Sequence, residues 1–171
     1  MREDGRMAHI GMRAPAWLAR QAIVHSLRTT VAATVSLLVA RLFRLPESYW
    51  AAITTLVVMQ STLGAAWTVS RQRFAGTALG AAMGAFLAGY FGMNLFAFSA
   101  GVFAQGLICV ALRLDRAAYR FSGVTLAVVM LIARSRPVAV VALHRFVEVS
   151  VGIAIGLILT LAWPEQETSA P

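Results

Sequence analysis

The chain contains no lysine, one cysteine and seven acidic residues. A single cysteine, Cys109 within an apolar run, closes no internal disulfide and builds no cysteine metal site, so it reads as a small core residue. The histidines, His9, His25 and His144, are too scattered for metal-ligand spacing. No nucleophile elbow and no carboxylate pair occurs. The glycines Gly76, Gly80 and Gly84 do not form a phosphate loop, because no lysine follows and both flanks are apolar. These absences leave no catalytic constellation, no metal site and no cofactor site, and an enzyme is not expected.

Charge is also scarce. Charged residues make up 13% of the chain, against roughly 25% in soluble domains. In their place stand apolar residues, 59% of the total, with a mean hydropathy of +0.73. That composition belongs to a membrane protein. The net charge of +8 is carried by fifteen arginines. They punctuate the apolar runs instead of lining one polar face, so no solvated basic stripe is available for nucleic acid. A positive-inside bias accounts for them more simply.

The apolar runs predict an all-α, polytopic helical bundle of six spans, at about 22–42, 49–68, 72–91, 94–112, 118–134 and 141–163. Residues 74–112 carry no charge over 39 positions, too many for one helix across ~30 Å of hydrocarbon. The turn chemistry of "YFGMN", residues 90–94, divides them. The module is expected over 22–164, with an N-terminal arm over 1–21 and a short tail over 165–171. The arm lacks a signal-peptide pattern, which favours an uncleaved first span. Inner segments would hold Arg2, Arg6, Arg13, Arg20, Arg71, Arg73, Arg113, Arg116 and Arg120. Outer loops would hold Arg41, Arg44, Arg134 and Arg136. This asymmetry places both termini in the cytoplasm of a plasma-membrane protein.

Shifting the chain by 72 residues lays Arg41 and Arg44 on Arg113 and Arg116, Arg73 and Phe74 on Arg145 and Phe146, and Gly80 and Gly84 on Gly152 and Gly156. Two units of three spans each would be inverted relative to one another. Transporters use that plan, with the substrate near the midplane.

Within this frame, Gly76, Gly80 and Gly84 share one helical face, and Gly152 and Gly156 share another. Both suit close helix packing in lipid. Arg71 and Arg73 serve either as topological anchors or as anion attractors at a helix N-terminus, and Arg73 is the stronger candidate because Arg145 is its mate in the offset. Arg28 should sit deep, since its helix is expected to begin near Pro15. Glu148 is the only acid inside an expected span. With His144 it can serve proton coupling, or it can pair with Arg145 one turn away. Gln60 and Gln105 are mid-span amides, suited to interhelical bonds or substrate contact. Tyr49 and Trp50 are either interfacial belt residues or a stacking surface for an aromatic substrate.

The stretch over 45–88 opens a span with Tyr49, Trp50 and Ala51. It carries Gln60 near that span's end and continues with Arg73, Gly76, Thr77, Gly80 and Gly84. In this it resembles the fusaric acid resistance protein-like family, part of a broader group of aromatic acid exporters. Residues 144–164 resemble the family's closing span through Arg145, Glu148, Gly152, Gly156, Trp163 and Pro164, and Arg28 stands in its usual place. The resemblance implies export of fusaric acid, hydroxybenzoates or similar organic anions, driven by the proton gradient. Distant plant relatives act as malate channels. Larger members carry two modules and cytoplasmic regions, so a single module is expected to pair as a homo-oligomer. The expected partners are membrane lipid and small organic anions. Arg28, Tyr49, Trp50, Gln60, Arg73 and Arg145 are expected at the substrate, with His144 and Glu148 as proton carriers. The alternatives are a non-transporting membrane subunit or scaffold, and an organic-anion channel.

Overall fold

The computed structural model describes residues 16–59, 62–131 and 136–164. Among these residues there are six α-helices and no strand: α1 (Ala16–Leu42), α2 (Tyr49–Val58), α3 (Leu63–Phe91), α4 (Leu95–Ala111), α5 (Arg116–Leu131) and α6 (Val138–Ala162). The turn at 92–94 is made by Gly92, whose φ of 64° is left-handed, and by Asn94, whose side-chain oxygen accepts the Phe96 N–H at 2.8 Å. The helix α6 starts directly after Pro137.

The expected helix over 49–68 does not form as one piece. The helix α2 ends at Val58, and Met59 turns to an extended ψ of 92°. Thr62, also extended, then caps α3, its hydroxyl accepting the Ala65 N–H at 3.2 Å. A helix-starting threonine thus outweighs the continuous apolar run, and the helix expected from 72 begins at Leu63. The ten residues of α2 reach only about 15 Å, and the 29 of α3 about 43 Å. Among the described residues, three helical segments are long and apolar enough to cross a membrane: Arg20–Leu42, Leu63–Phe91 and Val138–Ala162.

The core is the antiparallel pair α3 and α6. Ala66 and Val69 share a cluster with Val149, Ile153 and Leu157. Farther along α3, Ala81 and Ala85 pack with Ala142 and Val138. Advancing along one helix therefore means retreating along the other. The helix α5 runs parallel to α3, and α2 runs parallel to α6, in contacts made possible by glycine. A Cβ at Gly80 would collide with the Ser122 carbonyl oxygen and stand 2.7 Å from the Thr125 Cβ. A Cβ at Gly152 would collide with the Ala51 carbonyl oxygen and stand 2.6 Å from the Thr54 Cβ. Gly76 and Gly84 extend the first seam, against Ala118 and Val129, and Gly156 extends the second, against Val58. Backbone approach at this range strengthens dispersion contacts, which carry helix association in lipid.

Two turns dock on the middles of the long helices. The Glu47 N–H donates to Glu148 Oε1 at 2.8 Å, which fixes the α1–α2 turn against α6. Gln72 Nε2 donates to Asp115 Oδ2 at 2.7 Å, which fixes the α4–α5 turn against α3. The result is two apolar lobes. One holds α1, α2 and the C-terminal part of α6, and the other holds α4, α5 and the C-terminal part of α3. The exposed Arg41, Arg44, Arg113 and Arg116 lie in or beside these turns, where the lobes join. The helices α1 and α4 end alike. Leu45 N–H bonds to the Ala40 carbonyl at 3.0 Å and Leu114 N–H to the Cys109 carbonyl at 2.8 Å, with Arg44 and Arg113 both at φ 53°. These are Schellman ends with arginine in the left-handed position usually given to glycine.

Candidate functional site: a buried arginine pair

Arg73 on α3 and Arg145 on α6 are both withdrawn from solvent, at 6% and 2% exposure. Each is seated on the aromatic residue of a neighbouring helix. The Arg73 guanidinium lies 4.8 Å from the centroid of Phe121 on α5. That of Arg145 lies 3.1 Å from the Trp50 ring on α2. Desolvated contacts of this type contribute about 2 kcal/mol. Between the two elements, Phe74 and Phe146 meet with ring centroids 5.0 Å apart.

The two cations differ in how they are satisfied. Arg73 Nε donates to Thr54 Oγ1 at 3.1 Å. Arg145 has no hydrogen-bond partner at Nε or Nη1. The charge of Arg73 acts against that of Arg145, while Glu148 and Glu47 attract it. Glu148 is 1% exposed, and one of its oxygens is already engaged by the Glu47 N–H. Glu47 Oε2 in turn accepts Trp50 Nε1–H at 2.9 Å. A continuous polar chain thus runs from Glu148 through Glu47 to Trp50, with Arg145 over the ring. Burying a cation with unmet donors is costly, and an oxyanion supplies both the missing acceptors and the missing charge.

The other residues marked by the sequence fall in several places. Tyr49 is exposed beside Trp50, with ring centroids 5.5 Å apart. His144 is half-buried next to Arg145, and its Nδ1 is without a partner. Arg28 stands apart from the pair. Its Nη1 donates to the Trp163 carbonyl at 3.0 Å, tying α1 to the C-terminal end of α6. Gln105 is fully buried on α4, with neither amide atom partnered. Gln60 lies outside the described residues. Sequence reasoning passed over Glu47, Thr54 and Phe121. The repeat offset leads to Phe121 only when slipped by one, since Trp50 and Phe121 are 71 positions apart. Nothing in "LPES" marks Glu47 as a contact of Glu148. Among the described residues, no group of three His, Cys, Asp or Glu side chains is placed to hold a metal ion.

Long apolar helices carrying a sequestered cationic pair define a membrane protein with an internal polar site. The profile of the fusaric acid resistance protein-like family matches residues 31–159, and the chain belongs to that family. It is similar to inner membrane protein YeeA of Escherichia coli (strain K12), at 30% identity over 150 residues. That alignment covers 84% of this chain and 42% of the relative. No solved structure matches the chain. Family and relative together make this a membrane protein, and the family points to membrane transport.

Proposed function

We propose that the chain is an inner-membrane export module for aromatic or amphipathic organic anions, driven by the proton gradient. The observation that carries the reading is Arg145, buried beside a second arginine with two N–H groups lacking acceptors. A carboxylate between Arg145 and Arg73 would meet them, and the aromatic rings of Trp50, Phe121, Phe74 and Phe146 offer an apolar surround for an attached ring. Glu148, joined to the same chain of contacts, is the proton carrier in this reading.

Two features of architecture belong to the proposal. The first is an inverted repeat of α1–α3 and α4–α6 within a helical membrane module that has both termini in the cytoplasm. It is supported by the matched contacts at Gly80 and Gly152, by the matched helix ends at Arg44 and Arg113, and by cation–ring pairs on both sides. The second is homo-oligomerisation. Arg41 and Arg44 are exposed where the two apolar lobes join, a position that a second copy packed there would cover.

The test is efflux from cells lacking their own aromatic-acid exporters, loaded with fusaric acid, 4-hydroxybenzoate or benzoate. The wild-type chain should speed efflux of at least one, and collapse of the proton gradient should abolish the gain. Arg145→Gln should lose it while inserting normally. Full efflux by a well-inserted Arg145→Gln protein would remove the site from the pathway.

A further inference from the structure

A second place on the molecule gathers cations that have no partner among the described residues. Arg71 of α3 and Arg113 of the α4–α5 turn converge on a pocket of about 170 Å³, lined also by Thr68 and Gln72. The side chains of Arg71 and Arg113 make no hydrogen bond or ion pair among the described residues. The one acid at the pocket, Asp115, is held by Gln72 Nε2 at 2.7 Å, so its carboxylate is directed to an amide and not to either arginine. Arg113 is held at φ 53° in the helix-ending turn, a conformation that costs a non-glycine residue roughly 1–2 kcal/mol.

The pocket adjoins an apolar groove. Leu114 and Asp115 line both. The groove, about 350 Å³, runs beside α4 along Phe103, Leu107 and Val110. Gly106 clears its floor, because a Cβ there would lie 3.6 Å from the Tyr119 ring. Arg116 stands at the groove as well. Cationic donors at one end and an exposed apolar channel leading away fit an amphiphile with an anionic head.

We propose that this pocket and groove form a second oxyanion site, distinct from the Arg73–Arg145 pair. The head, a phosphate or carboxylate, sits between Arg71 and Arg113; the Thr68 hydroxyl beside it donates to the Gly64 carbonyl at 3.0 Å, which leaves the two guanidinium groups as the donors. The apolar body lies along α4. Two sources share this chemistry: an anionic phospholipid, and a soluble organic or inorganic oxyanion.

The test uses the full chain purified in non-ionic detergent, with mass spectrometry of the intact protein and thermal unfolding as readouts. The probes are phosphatidylglycerol, phosphatidylcholine as the zwitterionic control, inorganic phosphate and octanoate. The variants are Arg71→Gln/Arg113→Gln and Arg73→Gln, with Arg113→Gly as a milder change that relieves the left-handed turn. Wild type and Arg73→Gln should retain phosphatidylglycerol over phosphatidylcholine, and the double variant should retain at least about tenfold less. Arg113→Gly should fall between them. Protection by phosphate or octanoate, also lost with Arg71 and Arg113, supports the same site with a soluble source. Equal retention of the two lipids by wild type, with no protection by either soluble anion, overturns the proposal. Retention that survives loss of both arginines overturns it too. Neither readout involves efflux, so the result stands or falls separately from the export reading.

Discussion

Phe74 and Phe146 touch ring to ring, with centroids 5.0 Å apart, although 72 positions separate them in the chain. Each follows a buried arginine, and the contact lies where α3 and α6 cross the junction of the two lobes. The matched glycine contacts fall on either side of it.

The two glycine seams should respond alike. Gly80→Ala and Gly152→Ala each drive a methyl group into a carbonyl oxygen on the opposing helix. Overpacking of this kind costs about 1–3 kcal/mol. Both variants should therefore unfold at lower temperature in detergent, by similar amounts. Gly89→Ala is the control, since nothing lies within 4 Å of a Cβ there. A Gly152→Ala protein as stable as wild type would show that the α2–α6 seam is looser than described.

Glu148 separates structure from coupling. Glu148→Gln keeps an oxygen that can accept the Glu47 N–H, so the α1–α2 turn should stay docked. Glu148→Ala removes the acceptor and leaves a part-buried donor unmet, at about 1–3 kcal/mol. Melting temperatures should rank wild type and Glu148→Gln close together, with Glu148→Ala below. In efflux assays, Glu148→Gln should lose dependence on the proton gradient. If gradient dependence persists in that variant, another group carries the proton.

Trp50→Leu removes the ring under Arg145 and the donor to Glu47 together. The expected loss is about 2 kcal/mol or more from the cation–ring contact alone. Trp50→Phe keeps a ring and loses the N–H, so it should recover most of that loss. Equal destabilisation by both substitutions would assign the effect to the Glu47 bond.

Arg28 sits at a different place in the fold from Arg73. Its bond to the Trp163 carbonyl joins α1 to the far end of α6. A charged hydrogen bond of this kind contributes about 1.5–3 kcal/mol. Arg28→Leu should loosen α1, visible as faster proteolysis near the start of the helix. Its effect on anion selectivity should be small, whereas Arg145→Gln should alter selectivity strongly. A selectivity change in Arg28→Leu matching that of Arg145→Gln would place Arg28 at the substrate after all.

Much of the helical layout was open to reading because apolar length and turn chemistry are local properties. Gly92 and Asn94 divide the uncharged stretch in the structure as they do in the sequence. The break after Val58 was not visible in that way. "VVMQSTLG" is apolar enough to continue a helix, and only the capping threonine, one common residue among several, marks the restart. The arginine pair was suggested by the 72-residue offset, but its aromatic seats were hidden, because Trp50 and Phe121 obey an offset of 71. Glu47 was hidden for a deeper reason. Its contact with Glu148 spans 101 positions and depends on a turn docking at mid-helix, which no local pattern specifies.

The pairing of α3 with α5 and of α6 with α2 also bears on how the chain is made. The glycine face of α3 is synthesised before its partner, residues 118–129, exists. The face of α2 waits longer still, until residues 152–156 arrive. Neither α1–α3 nor α4–α6 can bury a seam alone, so the first seam waits for α5 and the second for α6. Until α5 arrives, the glycine face of α3 is open to any other helix in the bilayer. The face of α2 is exposed to mispairing for longer, until α6 is delivered.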